Sequence, residues 1–548
     1  MTKKDQADDD LLKGTAAEIM LKVLVEGGVK DIFALPGIQN DDLFDALYKT
    51  TGLRTIHTRH EQGAAYMAAG YAMTSGQPGT YAVVPGPGFL NTTAALSTAY
   101  GCCAPVLALV GQIKSSLMGR MTGQLHEIPD QLSVMQQFTR WTAQIKAPSQ
   151  AACIAADALF ELTKKPSRPV GLECPMDVWG KEGVARRPAM REHECDAVDF
   201  DAVKRAAEIL GSAKSPLIVV GGGAQDASAE VRELSTMLHA PVTANRMGQG
   251  VVSARDPLWV DAVTGHILWG KADVVLAIGT RLQLQLMTWG VDDKLKVIRI
   301  DADPDQLERI HAPTVGLVGD AKTILRELIE SIPAVNNTHS QSKEIELARA
   351  SGQKKLQTLA PQIEYLKAIR NALPDEGIFV DDLTQISYVS RAAFPVYHPR
   401  TYISPGYQGT LGWGTSAAIG AQVACPDVPV VSVIGDGGFM FGVQEMATAV
   451  QHNIPFITIL ANDNSYGNVM RIQDNKYGGR RIGSELRNPD FKKLTDSFGA
   501  HYLFAKTPGE LQHALKKAIN INGPVVIEVP VSSMPDPWKV LQYSSSRS

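Results

Sequence analysis

Apolar residues in this chain gather into short buried-looking runs, and the stretches between them carry apolar residues at helical spacing. Residues 16–27 read as a helix, 32–35 as a short buried strand, 81–84 as a strand ending in Pro85 and Gly86, and 106–110 and 169–173 as two more strands. A second series has strands at 216–220, 274–278 and 296–300. A third opens with a helix near 361–373 and a strand at 378–380, then places strands before Gly435 and before Asp463 and another at 525–529, with a helix at 443–451. Strands that alternate with helices predict parallel sheets. A charged stretch, 181–196, reads as a linker, and polar 336–341 marks a second boundary. The expected architecture is α/β, three consecutive doubly wound domains with parallel sheets, at 1–185, 196–335 and 350–548. No short internal repeat is visible.

The chemistry concentrates where two of these strands end. Val430 to Gly435 runs into Asp436, Gly437 and Gly438, and one helix later Ile459 to Asn462 runs into Asp463 and Asn464. Adjacent strand ends in a doubly wound sheet are where ligands bind. Two carboxylates and a backbone carbonyl there can share one hard cation with water and phosphate oxygens, as Mg²⁺ prefers. The glycines let the backbone approach a diphosphate, and a helix start favours negative charge. Either half alone is matched by ordinary turns; the ordered pair is far more specific.

The ordered pair resembles the diphosphate and metal motif of thiamine diphosphate enzymes. The resemblance implies thiamine diphosphate and Mg²⁺ as cofactors, with Asp436, Asp463 and the carbonyl of Ser465 as metal ligands. It places Gly435, Gly437, Gly438, Tyr466 and Gly467 around the diphosphate, with Thr384 and Gln385 beside it and Pro85 among the other cofactor contacts. The segment from His60 through Glu61 to Ala72 is similar to a family helix whose Glu hydrogen-bonds N1′ of the cofactor's aminopyrimidine. That implies a catalytic acid–base role for Glu61. Tyr407 to Gly414 is similar to a segment in which a bulky residue wedges between the two cofactor rings, here Leu411, and a carbonyl accepts from the 4′-amino group, here Gly409.

From about residue 13 to 530 the chain resembles the acetolactate synthase, pyruvate oxidase and benzaldehyde lyase branch. The resemblance implies a carbon–carbon lyase or carboligase acting on a 2-oxo acid, assembled as a homodimer or homotetramer with active sites between subunits. Gly37, Ile38, Gln39, Asn40, Phe89, Gln112, Gln124, His126, Met470 and Ile472 are then the substrate-facing candidates. Ile472 stands where acetolactate synthases carry the Trp that selects the acceptor. Pro85 to Asn91 approaches a turn of oxalyl-CoA decarboxylases and 2-hydroxyacyl-CoA lyases, which keeps a CoA thioester as the alternative substrate. A non-catalytic cofactor-binding protein is the alternative of another class, and Glu61 argues against it. Small residues after the strands at 216–220 and 274–278, and Asp301 ending another, occupy places where relatives contact FAD or ADP; an empty structural domain is equally compatible.

Bulk properties narrow the partners. A net charge of −4 over 548 residues gives no reason to expect nucleic acid or an anionic membrane surface. No apolar run is long enough to span a bilayer. The polar start shows no secretory signal, and the 6 cysteines show no metal-ligand spacing. A cytoplasmic enzyme of a small-molecule substrate is the expectation. A nicotinamide dehydrogenase fails for want of a G-x-G-x-x-G opening a helix.

Overall fold

The structure is a computed structural model, and it describes residues 10–193, 197–332 and 341–547. Its frame is three parallel sheets of six strands each. In the first, the strands lie in the order Arg54–His57, Asp31–Ala34, Gly79–Val83, Val106–Gln112, Val170–Pro175, Trp141–Gln144. In the second the order is Trp259–Val260, Val242–Ala244, Pro216–Val220, Val274–Ile278, Lys296–Asp301, Val315–Val318. The third runs Tyr402–Ile403, Ile378–Asp381, Val430–Gly435, Ile457–Asn462, Val525–Pro530, His501–Phe504. The first and third sheets therefore share one topology, an internal likeness that no sequence repeat discloses.

The central strands are apolar because helices cover both faces of each sheet. Every residue of Gly79–Val83, Val106–Gln112 and Val170–Pro175 is buried. Edge strands read differently. Trp141–Gln144 is half-exposed along its length and lacks the apolar run that predicts a strand, whereas His501–Phe504 is exposed or half-exposed although it carries Tyr502, Leu503 and Phe504 in a row. Residues 181–196 are not wholly a linker: Glu182–Arg186 pairs antiparallel with Leu11–Thr15 in a separate two-stranded sheet. That strand is mostly exposed and charged at both ends, so its sequence reads as irregular. The boundary expected at 336–341 lies, up to residue 340, outside the described residues.

One helix crossing fixes the first and third units against each other. Helix Glu61–Ser75, which starts at His60, packs on helix Trp413–Ala424 through small residues. A Cβ on Gly420 would sit 1.9 Å from the Met67 carbonyl oxygen, and one on Gly70 would sit 2.2 Å from that of Ala417. Only glycine admits backbones so close. The C-terminal segment ties the third unit to the second. Tyr543 packs against Trp289 and His266, and the largely buried Arg547 pairs with Asp292 at 2.8 Å.

Candidate active site

Both sheets with the shared topology reverse their strand order beside the first strand, and the turns leaving those strands carry the candidate residues. In the third sheet, Ile378–Asp381 leads into Leu383, Thr384 and Gln385, while its neighbour Val430–Gly435 leads into Asp436. The helix expected at 443–451 is present as Glu445–Gln451, and a further short helix that the sequence does not announce, Asp436–Gly442, precedes it and includes the glycines of the motif. Asp436 is thus the first residue of a helix rather than part of an open turn.

Asp436 is almost fully buried. Burial raises its pKa above the usual carboxylate range, the nearby Asp463 carboxylate adds to the rise, and the Asn488 amide opposes it. Asn488 donates from Nδ2 to Asp436 Oδ2 at 2.5 Å, and the same nitrogen lies 3.2 Å from Asn462 Oδ1 and Asn464 Oδ1. Asp463 accepts through Oδ1 from the Ser465 backbone N–H at 3.0 Å and from Ser465 Oγ at 2.9 Å. Gln385 Nε2 donates to its other oxygen at 2.8 Å. Gln385 Oε1 in turn accepts from Arg471 at 3.1 Å and from the Met534 N–H at 2.9 Å. Among the described residues neither Asp436 nor Asp463 has an ion-pair partner. A buried carboxylate, Asp436, and a half-buried one, Asp463, amid amide oxygens fit a hard, oxygen-preferring cation. There is no group of three or more His, Cys, Asp or Glu among the described residues, so such a cation would need carbonyl or external oxygens to complete its shell.

The glycines fit a phosphate group beside that cation. A Cβ on Gly435 would meet nothing closer than 3.8 Å, so the backbone there is open to a ligand. Gly437 lies against the ring of Tyr466, and Gly467 against Asp463 Oδ2, which holds Tyr466 and Gly467 beside the two carboxylates. Gly409 and Gly412 both take left-handed backbone conformations, at φ +57° and +79°. Their turn brings Leu411 Cδ2 to 3.8 Å from where a Gly438 Cβ would be. Beneath these loops lies Asp382, which composition alone does not distinguish from its neighbour Asp381. It is fully buried, accepts from the Leu383 N–H at 2.6 Å and the Gly414 N–H at 3.0 Å, and burial pushes its carboxyl up to about 7. It joins the Thr384–Gln385 turn to the end of the Leu411 turn.

The first sheet carries the other group. Glu61 opens its helix, and its Oε2 accepts from Asn91 Nδ2 at 3.0 Å. Gly88 passes close by: a Cβ there would lie 3.6 Å from Glu61 Oε1. Pro85 packs on Gly111, and Phe89 is fully buried in the core. Gln112 is not free, since its amide donates to Glu173 at 3.0 Å. Glu173, fully buried on Val170–Pro175, also accepts from Gln131 at 2.8 Å and Gln144 at 2.6 Å. Burial raises its pKa, against the pull of those three amides. Gln131 in turn accepts the Gly86 N–H at 2.9 Å, so Glu173 braces the turn that carries Pro85. Ile38 and Gln124 are exposed, Met470 is half-buried and Ile472 exposed.

Asn488, Glu445 and Glu173 escaped sequence reading. Their parts depend on contacts with residues far along the chain, as when Glu445 accepts the Arg59 N–H at 3.2 Å and so ties the start of the Glu61 helix to the third unit. Among the described residues no hydrogen bond joins the Glu61 group to the Asp436 group within one chain.

This two-part arrangement coincides with three family matches. Residues 14–134 match the thiamine pyrophosphate enzyme N-terminal TPP binding domain, 203–328 the central domain, and 382–529 the C-terminal TPP binding domain. The chain belongs to the thiamine pyrophosphate enzyme family, and to its acetolactate synthase branch. It is 33% identical over 540 residues to a probable 2-ketoarginine decarboxylase of Pseudomonas aeruginosa, covering 94% of each chain. It is 32% identical over 558 residues to a probable acetolactate synthase large subunit of Methanocaldococcus jannaschii, covering 95% of this chain and 93% of the relative. With the large subunit of acetolactate synthase isozyme 3 of Escherichia coli the identity is 28% over 552 residues, 93% of this chain and 92% of the other. The protein is a thiamine diphosphate-dependent enzyme. No helix among the described residues is long and apolar enough to cross a membrane.

Proposed function

We propose that this protein is a Mg²⁺- and thiamine diphosphate-dependent decarboxylase or carboligase of a 2-oxo acid. The observation that carries the reading is the pair of carboxylates, Asp436 and Asp463, held at adjacent strand ends without a basic partner. Asp436, Asp463 and the Ser465 carbonyl would hold Mg²⁺, and Gly435, Gly437 and Gly438 would leave room for the diphosphate. Thr384 and Gln385 line the same crevice, and Gln385 fixes Asp463 through its 2.8 Å hydrogen bond. Leu411 would support the ring system, with the Gly409 carbonyl accepting its amino hydrogen. Bound thiamine diphosphate supplies a carbon nucleophile and an electron sink for decarboxylation and carbon–carbon bond formation. Glu61 would hold the proton at the pyrimidine nitrogen, and Asn91 sets the direction of its carboxylate.

Glu61 and Asp436 make no hydrogen-bonded contact within one chain, which favours a site shared between two copies in a homodimer or homotetramer. The five described cysteines are free, in keeping with a reducing cytoplasm. In the central unit, Asn245 Nδ2 donates to Thr280 Oγ1 at 2.7 Å and Gln285 Nε2 to Asn245 Oδ1 at 2.8 Å, across the strand reversal where FAD or ADP would lie. A flavin-free structural domain is the reading these contacts favour, and an absorbance scan of the purified protein tests it.

The test of the activity is CO₂ release from 2-oxo acids by protein dialysed free of cofactor and then reconstituted. Release that requires both thiamine diphosphate and Mg²⁺ supports the proposal. Cofactor binding without turnover of any 2-oxo acid, alone or with an aldehyde acceptor, overturns it.

A further inference from the structure

Asn40 occupies a helix N-cap without capping the helix. It precedes Asp41–Lys49, where an Asn side chain ordinarily accepts from the first backbone N–H groups, yet it makes no such bond. Instead the side chain turns inward, fully buried, and its Oδ1 lies 2.2 Å from where a Cβ on Gly111 would be. Both ends of the amide are unpartnered, which is true of no other buried Asn or Gln among the described residues. An unpaired buried amide is destabilising, so a fold tolerates one where something else completes it.

Asn40 is not alone. Gln39 is buried and spends its Nε2 on the Leu125 carbonyl at 3.0 Å, leaving Oε1 unpartnered. His126, whose backbone sits at φ +69°, buries an unpartnered Nδ1, and its carbonyl presses on Gly86. Glu127 uses Oε2 on the N–H groups of Gly123 and Gln124 at 2.8 and 3.0 Å and leaves Oε1 buried and unpartnered. No basic side chain lies within ion-pair distance of Glu127 among the described residues. Gln39 and Asn40 stand on the turn that leaves strand Asp31–Ala34, and His126 and Glu127 on the loop that follows Val106–Gln112, where the His126 carbonyl meets Gly86 on the turn that carries Pro85 and leads to the Gly88 approach to Glu61. By contrast, the amides of Gln112 and Gln131 in the same region are already satisfied by Glu173.

Three acceptor atoms, one of them a carboxylate oxygen, together with an imidazole nitrogen and one free amide N–H, match a ligand rich in N–H donors and positively charged. We infer that Gln39, Asn40, His126 and Glu127 form a specificity pocket for a 2-oxo acid whose side chain ends in a cationic nitrogen group, of the guanidinium or ammonium class. This rests on the 2-oxo acid reading above. A site built on unpaired polar groups rejects an apolar analogue strongly, because binding it leaves those groups unpaired.

The experiment compares kcat/KM for an ω-guanidino 2-oxo acid with that for an unbranched aliphatic 2-oxo acid of equal length, using the cofactor-loaded full chain. The expected result is a preference of at least about 100-fold for the cationic acid. Glu127→Gln and Asn40→Leu should each cut that preference at least about tenfold through KM. Calorimetry with an unreactive ω-guanidino 2-hydroxy acid should show the same loss of affinity. Equal or better turnover of the aliphatic acid overturns the pocket while leaving the 2-oxo acid reading intact, and so does an unchanged preference in both variants. Failure to turn over any 2-oxo acid overturns both.

Discussion

Replacing Gly420 with Ala tests how the helix that carries Glu61 is set in place. The new Cβ would lie 1.9 Å from the Met67 carbonyl oxygen, 2.6 Å from the carbonyl carbon and 2.8 Å from its Cα. Ordinary contact begins near 3.4 Å, so the two helices must part by up to about 1.5 Å. The obstacle is backbone, and no rotamer change relieves it. Overpacking typically costs about 1–3 kcal/mol, and a backbone obstacle places this case at the upper end. The displacement passes to Glu61 at one end of its helix and to the Leu411 turn just before the other. A shift of about 1 Å in reacting groups lowers turnover by roughly 100-fold. The assay is thermal unfolding together with kcat at saturating cofactor and substrate. Gly509→Ala is the matched control: it makes the same change near the start of helix Pro508–Ala518, where nothing lies within 4 Å. It should leave turnover unchanged and stability equal or slightly higher. If Gly420→Ala keeps both its unfolding temperature and its kcat, this crossing does not position the site.

Three further outcomes are expected. Glu61→Gln keeps the shape and the Asn91 hydrogen bond, so cofactor affinity measured by calorimetry should change little while kcat falls about 100- to 10,000-fold; activity within threefold of the parent would remove Glu61 from the acid–base role. Asp382 has a folded-state pKa raised to about 7, so the folded state holds a proton that the unfolded chain releases; its contribution to stability is present at low pH and is lost as pH rises from about 4 to 7. Asp382→Asn should flatten that part of the pH–stability curve relative to the parent, and an unchanged slope in pH-dependent unfolding would contradict the assignment. Asn488→Ala removes a hydrogen bond that holds the Asp436 pKa down, so the acid limb of Mg²⁺-dependent cofactor binding should move to higher pH. An unmoved limb would mean that Asp436 does not govern metal binding.

What the sequence made legible follows from what burial does to a strand. Runs such as Val430 to Gly435 and Val106 to Gln112 are apolar throughout because both faces are covered, and their polar last residues therefore stand out. The positions of Asp436, Asp463 and Pro85 just beyond strand ends were readable for that reason. The edge strand Trp141–Gln144 and the Glu182–Arg186 pairing were not, since exposure removes the need for an apolar run. The first helix after Gly435 was also missed, because its glycines are poor helix formers and tertiary packing overrides that preference. Long-range partners left no local trace: Asn488 lies 52 residues from the Asp436 it touches, and Gln385 lies 78 from Asp463. The unused N-cap of Asn40 shows the reverse case. The residue type fits its local place, and only the structure discloses that the side chain is turned elsewhere.

The role of Asp436 and Mg²⁺ in holding the cofactor is tested most directly by a calorimetric titration of cofactor-free protein with thiamine diphosphate, with Mg²⁺ present and with the metal chelated, for the parent and for Asp436→Ala. The expected result is saturable binding to the parent that requires Mg²⁺, and loss of that binding in the variant. Equal binding without metal, or an unchanged isotherm for Asp436→Ala, would contradict it.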